Sequence, residues 1–232
     1  MFGRKKKTIP PPAEIAGVKV RPSTRARRMA LRVDMKSGDV ILTWPPGASE
    51  RRAAEFIEQN RRWIESRRQR QPQRQPLTAG RKISILGREY EIVHQPGRGV
   101  TRLEENLLIV HGRAEHLSRR VRDFLKQTAL DVLTDRAAQK LDQLNLRLCD
   151  VRVVDPKTRW GSCSPDGRMM FSWRLLLTPP EVLDYVVAHE VAHRVHMNHS
   201  QKFWALCASL TEDAAAARRW LRKHGAHVMA LS

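Results

Sequence analysis

The chain has 232 residues, 41% of them hydrophobic, and a formal net charge of +19 at pH 7. This length and apolar content suffice for a sizeable core, which excludes a wholly disordered protein. No apolar run approaches the roughly 18 residues of a membrane-spanning helix, and the basic start at 4–7 is followed by prolines where a signal peptide needs an apolar segment. We therefore expect a cytoplasmic protein with no membrane partner.

The distribution of charge suggests a possible partner, and the spacing of the cysteines argues against two kinds of cysteine site. Residues 1–75 hold 19 Lys and Arg against 7 Asp and Glu, so they carry +12 of the +19. Such a field makes nucleic acid a candidate partner of this basic N-terminal third, although a solvated, Arg-rich surface would also account for the charge. Cys149, Cys163 and Cys207 include no Cys-x-x-Cys pair, so they indicate neither a disulfide framework nor a thiolate zinc finger.

In chain order, residues 1–16 are predicted to be a disordered tail, because they are basic and rich in proline. Alternating apolar residues over 29–33 and an apolar run over 40–44, joined by a turn at 37–39, predict a β-hairpin. Ser49 can cap an Arg-rich helix that follows the hairpin. These elements predict a small N-terminal domain.

A stretch rich in Gln, Arg and Pro at 67–76 is typical of a linker, so we place domain limits at 17–76 and 77–232. The second domain has further strand patterns, at 83–92, 107–110, 151–154, 158–163 and 168–174. Helical periodicity over 117–144 predicts one long helix or two abutting ones. The sequence therefore predicts an α+β fold, with a small mixed or antiparallel sheet packed on helices.

A helix that follows these strands carries the strongest chemical pattern. It starts at Thr178-Pro179-Pro180-Glu181, where Thr178 is the predicted cap and Glu181 completes a capping box. His189 and His193, four residues apart on this helix, point about 40° from each other around its axis and can share one zinc ion. Glu190 lies beside their stripe, from where it can reach a water at the metal without being a ligand.

A catalytic zinc needs a third protein ligand, and His196 and His199 compete for that place. On a straight helix, His196 and the first two histidines would span about 10 Å along the axis, too far for one tetrahedral ion. His199 can coordinate only if the chain breaks and folds back. We expect this turn at Asn198, which tolerates a left-handed conformation, with Ser200 as the cap of a next helix at 201–210. The spacing favours His199.

These residues and their neighbours resemble a known family, the YgjP-like metallopeptidases, which are grouped with SprT-like and Wss-type zinc peptidases. The similar segments are Arg159-Trp160-Gly161-Ser162-Cys163-Ser164, Phe171-Ser172-Trp173-Arg174-Leu175, Asp184-Tyr185-Val186-Val187-Ala188-His189-Glu190-Val191-Ala192-His193, and Asn198-His199-Ser200 with Phe203-Trp204. The resemblance implies a zincin-like fold, zinc held by His189, His193 and His199, and Glu190 as catalytic base. His196 stands where the similar metzincin spacing has Gly, so this chain must turn differently.

The resulting prediction is a zinc metalloendopeptidase that acts on a protein or peptide. Tyr185, one turn before His189, and Arg159, on the preceding hairpin, are candidates for stabilising a developing oxyanion; a packing aromatic and a structural ion pair are the alternatives. Cys163 is a poor candidate nucleophile, because nothing in the sequence lowers its pKa.

Two other classes of protein compete with the peptidase. One is a nucleic-acid-associated protein whose zinc site is structural or inactive, and the other is a scaffold with a relic of a site. Glu190 favours the enzyme, because a structural zinc has no use for a carboxylate beside an open coordination position. The basic N-terminal third favours the nucleic-acid partner, since peptide hydrolysis does not require it.

Overall fold

A computed structural model describes residues 12–34, 39–69 and 75–232 of the protein. The chain divides into two compact units, one up to residue 71 and one from residue 72. Most of the predicted tail 1–16, most of the predicted turn 37–39 and the centre of the predicted linker 67–76 lie outside the described residues. Across the described ranges, no helix is both long and apolar enough to cross a bilayer.

The N-terminal unit consists of a four-stranded sheet and two short helices in the part of it that is described. Its elements are β1 (Glu14–Ile15), β2 (Val18–Pro22), β3 (Ala30–Val33), β4 (Val40–Trp44), α1 (Glu50–Gln59) and α2 (Arg61–Gln69). The strand order is β1-β2-β4-β3, in which β3 and β4 form the predicted antiparallel pair and β2 runs parallel to β4. Because β1 pairs with β2, the fold begins within the predicted tail.

One face of this sheet builds the core of the unit. Val18 and Leu42 are buried against Ala53 and Ile57, which are one turn apart on α1. The side chain of Ser49 accepts a hydrogen bond from the backbone N–H of Arg52, as the predicted cap requires. The strand alternation thus places apolar side chains under the helices and leaves polar ones on the opposite face.

The C-terminal unit combines two small sheets with four helices over residues 75–232. Its elements are β5 (Lys82–Ile85), β6 (Arg88–Gln95), β7 (Arg102–Glu104), β8 (Leu107–His111), α3 (Leu117–Asp142), β9 (Asp150–Val154), β10 (Gly161–Cys163), β11 (Arg168–Ser172), α4 (Pro180–Ala192), α5 (Gln201–Ser209) and α6 (Ala214–Met229). The sheet orders are β5-β6-β8-β7 and β10-β11-β9, and each sheet holds one parallel pair. The fold is α+β with small mixed sheets, as predicted at this level.

Helices α3 and α4 organise the core of this unit. Residues at a spacing of four along α3 are fully buried, namely Val121, Leu125, Ala129, Leu133, Ala137 and Leu141. Helix α4 contacts α3, β10, α5 and α6 and buries most of its length. A helix enclosed in this way holds its side chains in fixed directions, which is what a metal site requires.

The start of α4 differs from the predicted capping box. The hydroxyl of Thr178 donates to the backbone carbonyl of Leu175 at 2.7 Å and makes no bond to an α4 N–H. It therefore closes a 3-10 helix, Trp173–Leu177, which replaces the end of the strand predicted over 168–174. Thr178 fits both roles in sequence, and the 3-10 carbonyl is the closer partner.

Candidate metal centre

Three histidines meet at the C-terminal end of α4. One ring nitrogen from each of His189, His193 and His199 lies within 4.8 Å of the others. The Nε2 atoms of His189 and His199 are 3.2 Å apart. In the described part of the chain, this is the group of His, Cys, Asp and Glu side chains that is arranged to hold a metal ion.

The chain turns earlier than the sequence predicted. Helix α4 ends at Ala192, and the backbone N–H groups of Arg194, Val195 and His196 bond back to the carbonyls of Val191 and Ala192. The expected end of the helix near Asn198 is wrong, and Asn198 does not have a positive φ, although the chain does bend at Met197 and Asn198. The helix thus ends directly before the second histidine, which is its C-cap, and residues 194–198 connect His193 with His199.

His196 acts through its backbone. Its carbonyl oxygen lies 3.1 Å from Nδ1 of His193, and a carbonyl can only accept, so His193 carries its proton on Nδ1. The lone pair of His193 is then on Nε2. Such bonds orient metal-binding histidines and fix their tautomer. The sequence made His196 a rival ligand, whereas its carbonyl orients the ring of His193.

Two aromatic residues of helix α5, Phe203 and Trp204, pack against the imidazole rings of the three histidines. Phe203 is fully buried, and its ring centroid is 4.9, 4.6 and 4.6 Å from those of His189, His193 and His199. Trp204 stacks on His199 at 5.4 Å. The predicted cap at Ser200 starts this helix, since its hydroxyl accepts from the Phe203 N–H. Phe203 thus contacts all three histidine rings, a contact that was not predicted from the sequence.

The environment favours the neutral form of His189 and His193. Burial, with the neighbouring charges of His193 and His199, lowers the pKa of His189 to about 4. Burial also lowers the pKa of His193. A histidine must be deprotonated to bind a metal, so the lowered pKa values favour metal binding. Separately, the buried Nδ1 of His189 has no hydrogen-bond partner among the described residues.

The donor set fits a zinc ion. Two imidazole nitrogens bound at about 2.0–2.1 Å to one tetrahedral zinc lie about 3.4 Å apart. The 3.2 Å between the Nε2 atoms of His189 and His199 is close to that spacing. Three nitrogen donors without a thiolate are typical of zinc sites that keep one position open.

Glu190 is adjacent to His189 in the sequence, but its side chain is buried against Gly161 of β10. Its side chain is buried, with 5% exposed, and burial raises its pKa to about 7 against the opposing positive charge of Arg159. A carboxyl group with a pKa near the working pH can both accept and release a proton. This property suits a general base better than a structural carboxylate.

Gly161, at the start of β10, determines where the Glu190 carboxylate can lie. A methyl group in place of its hydrogen would stand 2.6 Å from Oε1 and 2.8 Å from Cγ of Glu190. Atoms do not approach so closely without a shift, so only glycine allows the present position. Gly161 belongs to the motif that resembled the family, but its role depends on a tertiary contact that no local pattern reveals.

Gly161→Ala should lower kcat for the reaction proposed below by about 100-fold, because a displacement of about 1 Å at a catalytic group has that effect. Bound metal and melting temperature should stay near wild type, since Glu190 can move. In a Glu190→Gln background, Gly161→Ala should have no further effect on kcat. Full additivity of the two changes would show that Gly161 acts elsewhere.

The remaining predicted residues lie around this centre. Tyr185 is buried with its ring centroid 6.2 Å from that of His189, and burial raises the pKa of its hydroxyl. Arg159 is exposed, and its charge acts on Glu190. Burial and the Glu190 charge raise the pKa of Cys163 to about 11. Cys163 is therefore a thiol at neutral pH, which agrees with its rejection as a nucleophile.

Comparison with known proteins gives one match. The family model described as YgjP-like, metallopeptidase domain, matches residues 27–224. No curated protein and no solved structure matches the chain. The matched range spans both units and includes the three histidines, Glu190 and Gly161. The chain belongs to the YgjP-like metallopeptidase family.

Proposed function

We propose that the protein is a zincin-like zinc endopeptidase, in which His189, His193 and His199 hold one zinc ion and Glu190 is the general base. The observation that carries the proposal is the meeting of three imidazole nitrogens, within 4.8 Å of one another, beside a buried carboxylate on the same helix. His199 is exposed, so the site opens to the surface and an extended protein chain can reach it. Membership of a metallopeptidase family supports the reaction class.

A zinc ion bound by the three histidines would lower the pKa of a water and polarise the scissile carbonyl. Glu190 accepts a proton from the attacking water at a carboxylate oxygen and later donates it to the leaving amine nitrogen. The C–O bond to the water oxygen forms first and leaves an oxyanion on the scissile carbonyl. The C–N bond then breaks as the nitrogen takes the proton from Glu190, and the second water proton stays with the new carboxyl group. Gly161 keeps the carboxylate of Glu190 in position for both transfers.

Two further groups, Arg159 and Tyr185, are candidates for stabilising the transition state. Arg159 carries an exposed positive charge close enough to act on Glu190, so it is our candidate for stabilising the oxyanion that forms on the scissile carbonyl. Tyr185 is buried beside His189, and its hydroxyl is the second candidate donor. Either contribution should appear as a fall in kcat with bound metal unchanged.

The competing function, a nucleic-acid-associated protein with a structural zinc, is weakened by the donor count. Structural zinc sites are closed by four protein ligands. Among the described residues, the histidine cluster offers three protein ligands. A buried carboxylate adjacent to an incomplete ligand set favours a catalytic site.

His199→Ala should weaken zinc binding by more than about 100-fold, beyond the 10–100-fold effects of groups that only orient ligands. His196→Ala is the matched control, since it removes the neighbouring imidazole but keeps the carbonyl that bonds to His193. Zinc affinity is measured by competition with a chromogenic chelator. Loss of zinc from His196→Ala with retention in His199→Ala would overturn the ligand assignment.

A further inference from the structure

The sheet of the N-terminal unit has one face that its helices do not cover. In β2, Lys19 and Arg21 alternate with the inward-facing Val18 and Val20, and in β3 Arg32 lies between Leu31 and Val33. The pairing register places Lys19 and Arg32 on either side of Ile41 of β4. With neighbouring strands about 4.8 Å apart, these two basic residues stand about 10 Å from each other on the same face.

The loop between β2 and β3 adds further positive charge to the unit. It contributes Arg25, Arg27 and Arg28, all exposed. We call Lys19, Arg21, Arg32 and these three loop arginines the basic sheet face. Lys19 pairs with Asp39, whereas the ion pairs of the described residues include none of the five arginines.

Two of the arginines on the helices of the same unit lie beside glutamates. Arg51 of α1 pairs with Glu55 at 3.0 Å, and Arg61 of α2 lies 3.3 Å from Glu58 and 3.5 Å from Glu65. Their charge is partly neutralised where it stands.

Arg52, Arg62 and Arg67 on these helices belong to no ion pair among the described residues, so the positive charge of the unit is not confined to the sheet. The basic sheet face differs because Lys19, Arg21 and Arg32 project from one face of the same sheet. The guanidinium groups of its arginines can bind phosphate oxygens.

The chemistry of this face favours a nucleic acid over a membrane. Proteins that bind lipid surfaces insert large apolar side chains beside their basic residues. The large hydrophobic residues that are exposed in the described chain lie elsewhere, at Val100, Leu107, Val195 and Met197. Trp44 packs into the core of the unit, so it does not offer a stacking platform on the basic sheet face. The basic sheet face can therefore contact the phosphates of a nucleic acid, but it has no aromatic residue to stack on the bases.

We infer that the basic sheet face binds nucleic acid through its phosphate backbone, without sequence preference. The inference does not depend on the peptidase activity proposed above. Each arginine that contacts a phosphate releases a bound counterion, so affinity falls steeply with salt. A partner held in this way would bring the protein to nucleic-acid-associated proteins.

The test uses the full-length chain and fluorescent 20-base-pair DNA duplexes of two unrelated sequences, titrated at several salt concentrations. The double variant Arg21→Gln/Arg32→Gln removes two charges from the basic sheet face. The control Arg51→Gln/Arg61→Gln removes two charges from the same unit where glutamates already pair with them. Both variants have the same net charge, so a general field effect would be equal in the two.

We expect the sheet-face variant to reduce the slope of log K against log salt by about 2, roughly one per phosphate contact, and equally for both sequences. The helix variant should keep the wild-type slope. Equal losses in the two variants, or a wild-type slope in the sheet-face variant, would overturn the inference. Binding to vesicles containing phosphatidylserine without binding to the duplexes would overturn it in favour of a lipid surface.

Discussion

Glu190→Gln is expected to bind zinc like the wild type while kcat for peptide hydrolysis falls by about 10² to 10⁴-fold, the usual contribution of a general base. The amide keeps the size of the side chain and its place beside Gly161 but cannot accept a proton from water. Because Glu190 is not one of the three clustered ligand groups, the metal should remain.

The measurement for this variant pairs zinc content with the rate of cleavage of an unfolded protein. Asp184→Asn, on the same helix, is the matched carboxylate-to-amide control. Asp184 pairs with Lys140 at 2.8 Å and does not belong to the cluster of three histidines that could hold a metal ion. Its substitution should leave kcat near wild type, whereas equal cleavage by Glu190→Gln and wild type would disprove the assignment of the base.

Arg174→Met should destabilise the protein by about 3 kcal/mol, the lower end of the range for breaking a buried ion pair. The Arg174 side chain is only 2% exposed and pairs with Asp155. Its Nε donates to the carbonyl of Leu231 at 2.8 Å, and its guanidinium lies 4.5 Å from the ring centroid of Trp173. The variant leaves that carbonyl without its donor, whereas Asp155 keeps the Trp173 Nε1–H at 3.3 Å. The lower end of the range applies because the Asp155 side chain is 32% exposed and can be rehydrated.

Urea unfolding checks this prediction, with an expected fall in the midpoint of about 1–2 M for a slope near 2 kcal/mol per M. Arg168→Met is the control, since the pair of Arg168 with Asp166 is more than half exposed and should contribute at most about 1 kcal/mol. If both variants lost the same stability, burial of the Arg174 pair would not matter.

The same pair predicts a pH dependence of stability. Burial would raise the pKa of Asp155, but the hydrogen bond and charge of Arg174 outweigh it and the pKa is lowered. A carboxyl group with a lowered folded-state pKa contributes stability above its unfolded pKa of about 4 and loses it as pH falls through the folded value. The stability difference between wild type and Asp155→Asn should therefore shrink below about pH 4.

The sequence predicted elements best where signals are local. The helix over 117–144 appears as α3, and Ser200 caps α5 as expected. The long apolar period and a capping hydroxyl act within a few residues, so no tertiary information is needed. The parallel pairing of β2 with β4 was not predicted, because it joins segments that are distant in the sequence.

The same difference between local and tertiary signals applies to the candidate metal centre. The helical spacing of His189 and His193 brings them together, and the need for a third ligand pointed to His199, which the fold places beside them. The predicted end of the helix was wrong: α4 stops at Ala192, where backbone N–H groups bond back to its carbonyl, and Asn198 lies in a later bend without a positive φ. The contacts of Gly161 and Phe203 arise from β10 and α5 packing on α4, which no local pattern encodes.

Peptide-bond hydrolysis at the proposed three-histidine zinc site is tested most directly by one measurement. A reduced, unfolded protein is incubated with the zinc-loaded chain in isotopically labelled water, and the products are read by mass spectrometry. We predict new internal termini whose carboxyl groups carry one labelled oxygen, and their absence after zinc removal or with Glu190→Gln. Wild-type protein that holds one zinc per chain yet produces no new termini would contradict the claim.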